Sequence, residues 1–306
     1  PANTRDTTVY LNRQLKRNNK RRINEISDKC LLCGKCSQVC QIGVEGDKLR
    51  IAQRSKRKYA LSHDYSMIGE SLSEGQKGRK VLYFAGCMTH LTPAVKKSML
   101  VVLEKAGEDY ALMDEDGGLC CGRPMLTAGR KDAAEQMMEK NKAIIRNSGA
   151  SVLLLSCPIC YRVFKQDYGL EGIEVLHHTE YIDRLIASGK LNVSRSGLRY
   201  AYHDPCELGR GCGIYDEPRR LVSTAGDLLE GAKKGAESIC CGGSLGSLSL
   251  GDEQRRKLTE NALANLTVAS PDAVVTACPL CKNTFARYAR VPVLDIAEVI
   301  ARHIDA

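Results

Sequence analysis

Tryptophan is absent from these 306 residues, phenylalanine occurs three times, and aromatic residues make up only 5% of the chain. That is poor material for stacking bases, and no helix-turn-helix or zinc-finger spacing accompanies the net charge of +9. The basic residues therefore suit a solvated surface and an acidic protein partner, and no nucleic acid is expected. No apolar run approaches the ~18 residues needed to span a bilayer. A secretory-type hydrophobic segment is missing from the start, which is polar and basic: Arg13, Lys16, Arg17, Lys20, Arg21 and Arg22 follow in quick succession. The expected location is cytoplasmic, with peripheral attachment to the inner face of a membrane through a partner left open. A dinucleotide fingerprint is missing too. Gly209-Arg-Gly-Cys-Gly213 lacks the GxGxxG spacing, so no flavin or nicotinamide site is expected.

Cysteine is what the chain has in excess. Fifteen of them, in a chain read as cytoplasmic, argue for metal rather than disulfides. The odd count and the adjacent pairs fit a disulfide framework badly. All but Cys212 fall into three groups. Cys30, Cys33, Cys36 and Cys40 form one Cys-x2-Cys-x2-Cys-x3-Cys run. Cys87, the pair Cys120-Cys121 and Cys157-Pro-Ile-Cys160 then recur as Cys206, Cys240-Cys241 and Cys278-Pro-Leu-Cys281, at offsets of 119, 120 and 121 residues. Agreement at five positions over so long a period marks an internal duplication in which each copy builds one thiolate site.

Three segments follow. Residues 1–60 form a basic arm and a single iron–sulfur motif; 61–79, rich in Ser, Gly and charge, read as a linker; the copies occupy 80–192 and 198–306. Apolar runs of buried-strand length stand at Val81–Ala85, Ser151–Leu155, Ile173–Leu176, Leu198–Tyr202 and Ala273–Ala277. Helical patterns stand at Pro93–Lys105, Gly129–Asn147, Pro218–Thr224 and Asp252–Leu266. Strands alternating with helices predict an α/β fold with a small parallel sheet in each copy. On these boundaries Cys87, Cys157, Cys206 and Cys278 lie two, two, four and one residues past their strands. Open α/β sheets bind ligands beyond those strand ends. Glycines beside each adjacent pair allow backbone to approach a cluster closely and offer N–H groups.

The N-terminal run has the bacterial ferredoxin spacing for a [4Fe–4S] cube. Cys30, Cys33 and Cys36 occupy three corners, and Cys40 serves this cluster or another. Gln41 stands where proline usually follows. Cys212 is a candidate fourth ligand, against its reading as a small half-buried apolar residue. Zinc competes at every site, but five thiolates per copy are one more than a closed tetrahedral zinc needs.

The strings Cys120-Cys121-Gly-Arg-Pro-Met-Leu-Thr-Ala-Gly129 and Tyr202-His-Asp-Pro-Cys-Glu-Leu-Gly-Arg210 resemble the cysteine-rich CCG-domain family. It includes heterodisulfide reductase catalytic subunits and the iron–sulfur subunits of glycerol-3-phosphate, lactate and glycolate oxidoreductases. The resemblance implies two CCG domains after a short helical ferredoxin-like segment. It also implies a noncubane [4Fe–4S] cluster on the five cysteines of each domain, the pair flanking a disulfide substrate, with zinc as the alternative in one domain. The chain departs from relatives with a fused ferredoxin-like region, which usually carry two such runs. The expected activity is disulfide reduction fed through the cube. The alternative is electron transfer from a flavin dehydrogenase, acting on a hydroxyacid or glycerol-3-phosphate, to a quinone or membrane cytochrome. Expected partners are a flavoprotein, a ferredoxin-like protein or a membrane cytochrome subunit. His203 is a candidate proton donor to a departing thiolate, or else orients the ligand loop. Arg123 and Arg210 follow ligand cysteines and offset cluster charge, bind substrate carboxylates or face solvent. His177 and His178 read as structural.

Overall fold

The computed structural model describes residues 8–57, 77–115 and 117–305; positions 61–76 of the expected linker lie outside them. Four helices come first: α1 (Thr8–Lys16), α2 (Lys20–Lys29), α3 (Lys35–Gln38) and α4 (Gly46–Ser55). They close over a small core of Leu11, Ile23 and Ile26.

The first α/β unit runs β1 (Val81–Phe84), α5 (Cys87–His90), α6 (Pro93–Lys105), β2 (Tyr110–Leu112), α7 (Arg123–Ala128), α8 (Lys131–Ser148), β3 (Val152–Leu155), α9 (Pro158–Gln166), β4 (Glu174–His177) and α10 (His178–Ala187). The second runs β5 (Arg199–His203), α11 (Gly209–Cys212), α12 (Asp216–Ala225), β6 (Asp227–Glu230), α13 (Asp252–Leu266), β7 (Ala273–Thr276), α14 (Pro279–Ala286), β8 (Val293–Asp295) and α15 (Ile296–His303). Each unit holds four parallel strands, ordered β2-β1-β3-β4 and β6-β5-β7-β8. The expected α/β class and the duplication are both present.

β1, β3 and β7 are buried along their whole length. Helices cover both faces of such sheets, which is why these strands read as unbroken apolar runs. β2, β6 and β8 are additions to the strands expected from the sequence. All three lie at sheet edges. β2 and β8 span only three residues, and no residue of β6 (Asp-Leu-Leu-Glu) is fully buried, so none has both the length and the burial of a central strand. α9 and α14 are additions as well, although each has proline in its first turn, where the absent N–H costs nothing.

The two units pack against each other through matching helices. α6 of the first packs on α15 of the second, α12 of the second packs on α10 of the first, and α10 and α15 touch. One apolar core runs through both. Val193, in the connection between the units, pairs with Ile304 at the other end of the second.

Arg54 fastens the N-terminal helices to both. Its side chain is fully buried. It donates to the carbonyls of Ser27 (3.1 Å) and Cys30 (3.2 Å) in its own segment, Thr127 (2.7 Å) in the first unit and Gly246 (2.6 Å) in the second. The loop around Gly246 adds a bond from the Ser244 hydroxyl to the Leu31 carbonyl (2.6 Å) and one from the Leu248 amide to the Asp28 carbonyl (2.8 Å).

Candidate metal centres

The strand ends put the two cysteine sets in matching places. Cys87 lies three residues past β1 and Cys206 three past β5; Cys157 lies two past β3 and Cys278 two past β7. The uneven offsets expected from sequence came from misjudging strand ends by one residue. In each sheet the two strands concerned are the central pair, where the connections turn to opposite sides and a crevice opens. Cys157 and Cys278 cap α9 and α14, and Cys160 and Cys281 sit in the first turns of those helices.

The adjacent pairs enter on loops held from behind. Asn141 Nδ2 donates to the Cys120 carbonyl (2.8 Å) and the Tyr168 hydroxyl to that of Cys121 (3.2 Å). In the second unit the Thr259 hydroxyl donates to the Cys241 carbonyl at 2.8 Å. Gly122 and Gly242 follow the pairs with φ of 89° and 85°, a left-handed conformation that disfavours any residue with a Cβ.

All fifteen thiols are free of disulfides, and eight of the ten in the two cradles are buried, Cys87 and Cys206 being half-buried. In the first cradle Cys121 meets Cys120 and Cys160; in the second Cys241 meets Cys240 and Cys281, the last pair with sulfurs 3.3 Å apart. Those neighbouring thiols, together with the Arg123 and Gly243 amides, hold Cys121 and Cys241 well below the ordinary thiol value despite burial. Burial pushes Cys87 up to about 12. The Cys157 thiol of the first cradle and the Cys278 thiol of the second lie against each other. The two cradles therefore face one another.

The N-terminal turn lies against the second cradle. Cys33 lies against Cys240, a contact that holds the Cys33 thiol down at about 5. Cys30 has Cys33 and Cys36 as charged neighbours, and Leu32 between them takes a left-handed φ of 54°. Cys40 sits apart: its sulfur accepts the Val44 amide at 3.3 Å on the outer side of the turn, where Val39 and Ile42 are exposed. Cys212, considered as a fourth ligand, has Arg162, Glu207 and Glu180 as its charged neighbours rather than the turn's cysteines.

Arg210 is a strut. It donates to the carbonyls of Cys33 (2.8 Å), Ala236 (3.1 Å) and Ser238 (2.9 Å), so it positions the turn on the second unit. Arg123 pairs with Glu207 at 3.0 Å, and Arg162 reaches the same carboxylate at 2.8 Å. Burial pushes Glu207 up, but the two guanidiniums outweigh it and hold the carboxyl below its ordinary value. Sequence reading singled out Arg123 and missed Glu207 and Arg162. His178 Nε2 of the first unit approaches Asp295 Oδ1 of the second at 3.1 Å, both side chains fully buried, and His177 caps α10.

His203 is buried, and desolvation lowers its pKa. One of its ring nitrogens and the sulfurs of Cys241 and Cys281 lie within 4.8 Å of one another. Both cradles fit an iron–sulfur cluster by donor chemistry: each gathers five free thiols, with main-chain amides aimed at their sulfurs.

The cysteine-rich CCG domain family matches residues 81–165 and again 200–286. The EtfAB:quinone oxidoreductase of Syntrophomonas wolfei is 30% identical over 76% of this chain and 36% of its own length. One subunit of the fumarate reductase (CoM/CoB) of Methanothermobacter marburgensis is 31% identical over 83% of this chain and 55% of its own. One subunit of the dihydromethanophenazine:CoB–CoM heterodisulfide reductase of Methanosarcina acetivorans is 26% identical over 83% and 71%. The chain thus spans between a third and just over half of the first two relatives. No described helix is long and apolar enough to cross a membrane.

Proposed function

We propose, from the premise that this chain belongs to the cysteine-rich CCG-domain family, that it is an iron–sulfur oxidoreductase subunit of heterodisulfide reductase type. The observation that carries this reading is the meeting of the two five-thiol cradles at Cys157 and Cys278, with a third cysteine group at one side through Cys33 and Cys240. Cys87, Cys120, Cys121, Cys157 and Cys160 would hold one noncubane [4Fe–4S] cluster, and Cys206, Cys240, Cys241, Cys278 and Cys281 the other. Cys30, Cys33 and Cys36 would hold a cube. Cys40 would complete this cube or serve a neighbouring cluster, as the last cysteine of such a run does in two-cluster ferredoxins.

Such clusters, when bound, store and pass single electrons. Reducing a disulfide breaks one S–S bond, takes up two electrons and two protons, and releases two thiols; paired one-electron centres facing each other suit that demand. The chain's own part is to hold and insulate. Buried thiols exclude water, Arg123 and Arg162 place positive charge beside the first cradle, and Glu207 fixes both guanidiniums. The CoB–CoM heterodisulfide named for the Methanosarcina relative is the first substrate to test.

The second reading is an electron relay between a flavoprotein and a quinone or membrane cytochrome. The EtfAB:quinone oxidoreductase relative favours it. One experiment separates the two. Protein purified anaerobically should contain about twelve irons per chain, and adding a disulfide should change its EPR spectrum and oxidise reduced viologen. Fewer than about eight irons would sink two four-iron clusters plus a cube. Full iron with no response to disulfides would favour the relay, and zinc in place of iron in one unit would remove the paired-cluster reading.

A further inference from the structure

The two cradles match at every cysteine, and among the buried neighbours in which they differ is one aromatic position. Phe84 in the first unit and His203 in the second are 119 residues apart, the offset that relates Cys87 to Cys206. Phe84 meets Phe164 with ring centroids 5.1 Å apart at 66°; His203 meets Phe285 at 4.8 Å and 89°. Phe164 and Phe285 are themselves 121 residues apart, as are the Cys-Pro-x-Cys motifs. The same aromatic contact is thus built twice, and only the second copy carries a polar atom. That atom, His203 Nε2, is buried and has no hydrogen-bond partner. A buried N–H without an acceptor is costly, on the order of 1–3 kcal/mol. Sulfur is the acceptor at hand, because the ring lies among Cys241 and Cys281.

We infer that His203 makes the two cradles electronically unequal: its Nε2–H donates to sulfur of the cluster held by the second cradle and makes that cluster the easier of the two to reduce. This rests on the proposal that each cradle holds an iron–sulfur cluster. Hydrogen bonds to cluster and cysteinyl sulfur stabilise the reduced, more negative form and raise the potential. Phe84 offers no such donor. The cradle so tuned is the one that Cys33 touches through Cys240, so an electron arriving past the N-terminal turn is held next to its point of entry. His203 is here a positioning residue for charge, with no bond made or broken at it.

The test is an EPR-monitored potentiometric titration of anaerobically purified protein, with iron, sulfide and zinc counted first. Two midpoint potentials are expected for the cradle clusters. His203→Phe, which copies the Phe84 packing, should make the higher-potential cluster about tenfold harder to reduce, a shift of about 59 mV for one electron, and leave the lower one in place. Phe84→His should raise the lower one by a similar amount. His203→Gln, which keeps an N–H donor, should recover part of the wild-type value. Potentials unmoved in both His203→Phe and Phe84→His overturn the inference, as does an equal shift of both clusters. Lost disulfide reduction with unmoved potentials would instead make His203 a proton donor and overturns it too. Zinc in the wild-type second cradle that His203→Phe releases would make His203 a metal ligand, again overturning it. Missing iron in either wild-type cradle defeats the cluster proposal itself and is seen before any variant is compared.

Discussion

Glu207 shows how charge is managed beside the thiolate cradles. Its carboxylate accepts from Arg123 and Arg162, residues 84 and 45 positions away, and all three side chains are largely out of water. A buried charge triad is a poor source of net stability, but breaking one is expensive, because the partners keep their charge without their counter-charge. Glu207→Gln should therefore cost about 3 kcal/mol, read as a lowered denaturant midpoint under anaerobic conditions, with Glu207→Asp losing less. Such a triad is illegible in the sequence. Arg123 drew attention because it follows Cys121-Gly122, whereas pairings over such separations leave no period or motif. The Phe84 and His203 correspondence, in contrast, was on view once the copies were set at an offset of 119, and only the buried Nε2 gives it meaning.

At the level of elements, the cradles are made from helix starts and strand ends. Pro158 and Pro279 open α9 and α14 immediately after the capping Cys157 and Cys278, so the Cys-Pro-x-Cys motif is at once a ligand set and a helix initiation signal. That double use is why the ligand positions could be read from sequence while the helices carrying them were not. The central strands were legible as apolar runs; β2, β6 and β8 were not, being edge strands that are short or partly open to solvent. The docking of the N-terminal helices was equally silent, because it depends on one arginine among many. Arg54 satisfies carbonyls from three parts of the chain. Arg54→Met should leave those acceptors buried and unpaired, at a cost of about 3 kcal/mol or more. Limited proteolysis should then release the N-terminal helices from the variant while the α/β units stay intact, and a variant as resistant as wild type would count against this role.

At the level of the whole molecule, α6 packs on α15 and α12 on α10 across the two units, and one apolar core runs through both. Heating should give one cooperative transition rather than two, despite the duplicated fold. Stripping iron with a chelator under reducing conditions should lower its midpoint by on the order of 10 °C, because bound metal contributes its binding free energy to folding. Differential scanning calorimetry of the loaded and stripped protein checks both statements, and two separated transitions in the loaded protein would contradict the shared core.

The contact between Cys33 and Cys240 bears on why the duplication sits within one chain. A dimer of a single repeat would present two identical doors, and traffic through it would have no preferred direction. If electrons enter past the N-terminal turn, as proposed above, joining the copies lets the sequence furnish one door and leave its twin plain. The ancestral symmetry survives in the ten cysteines, while polarity is written in the residues around them.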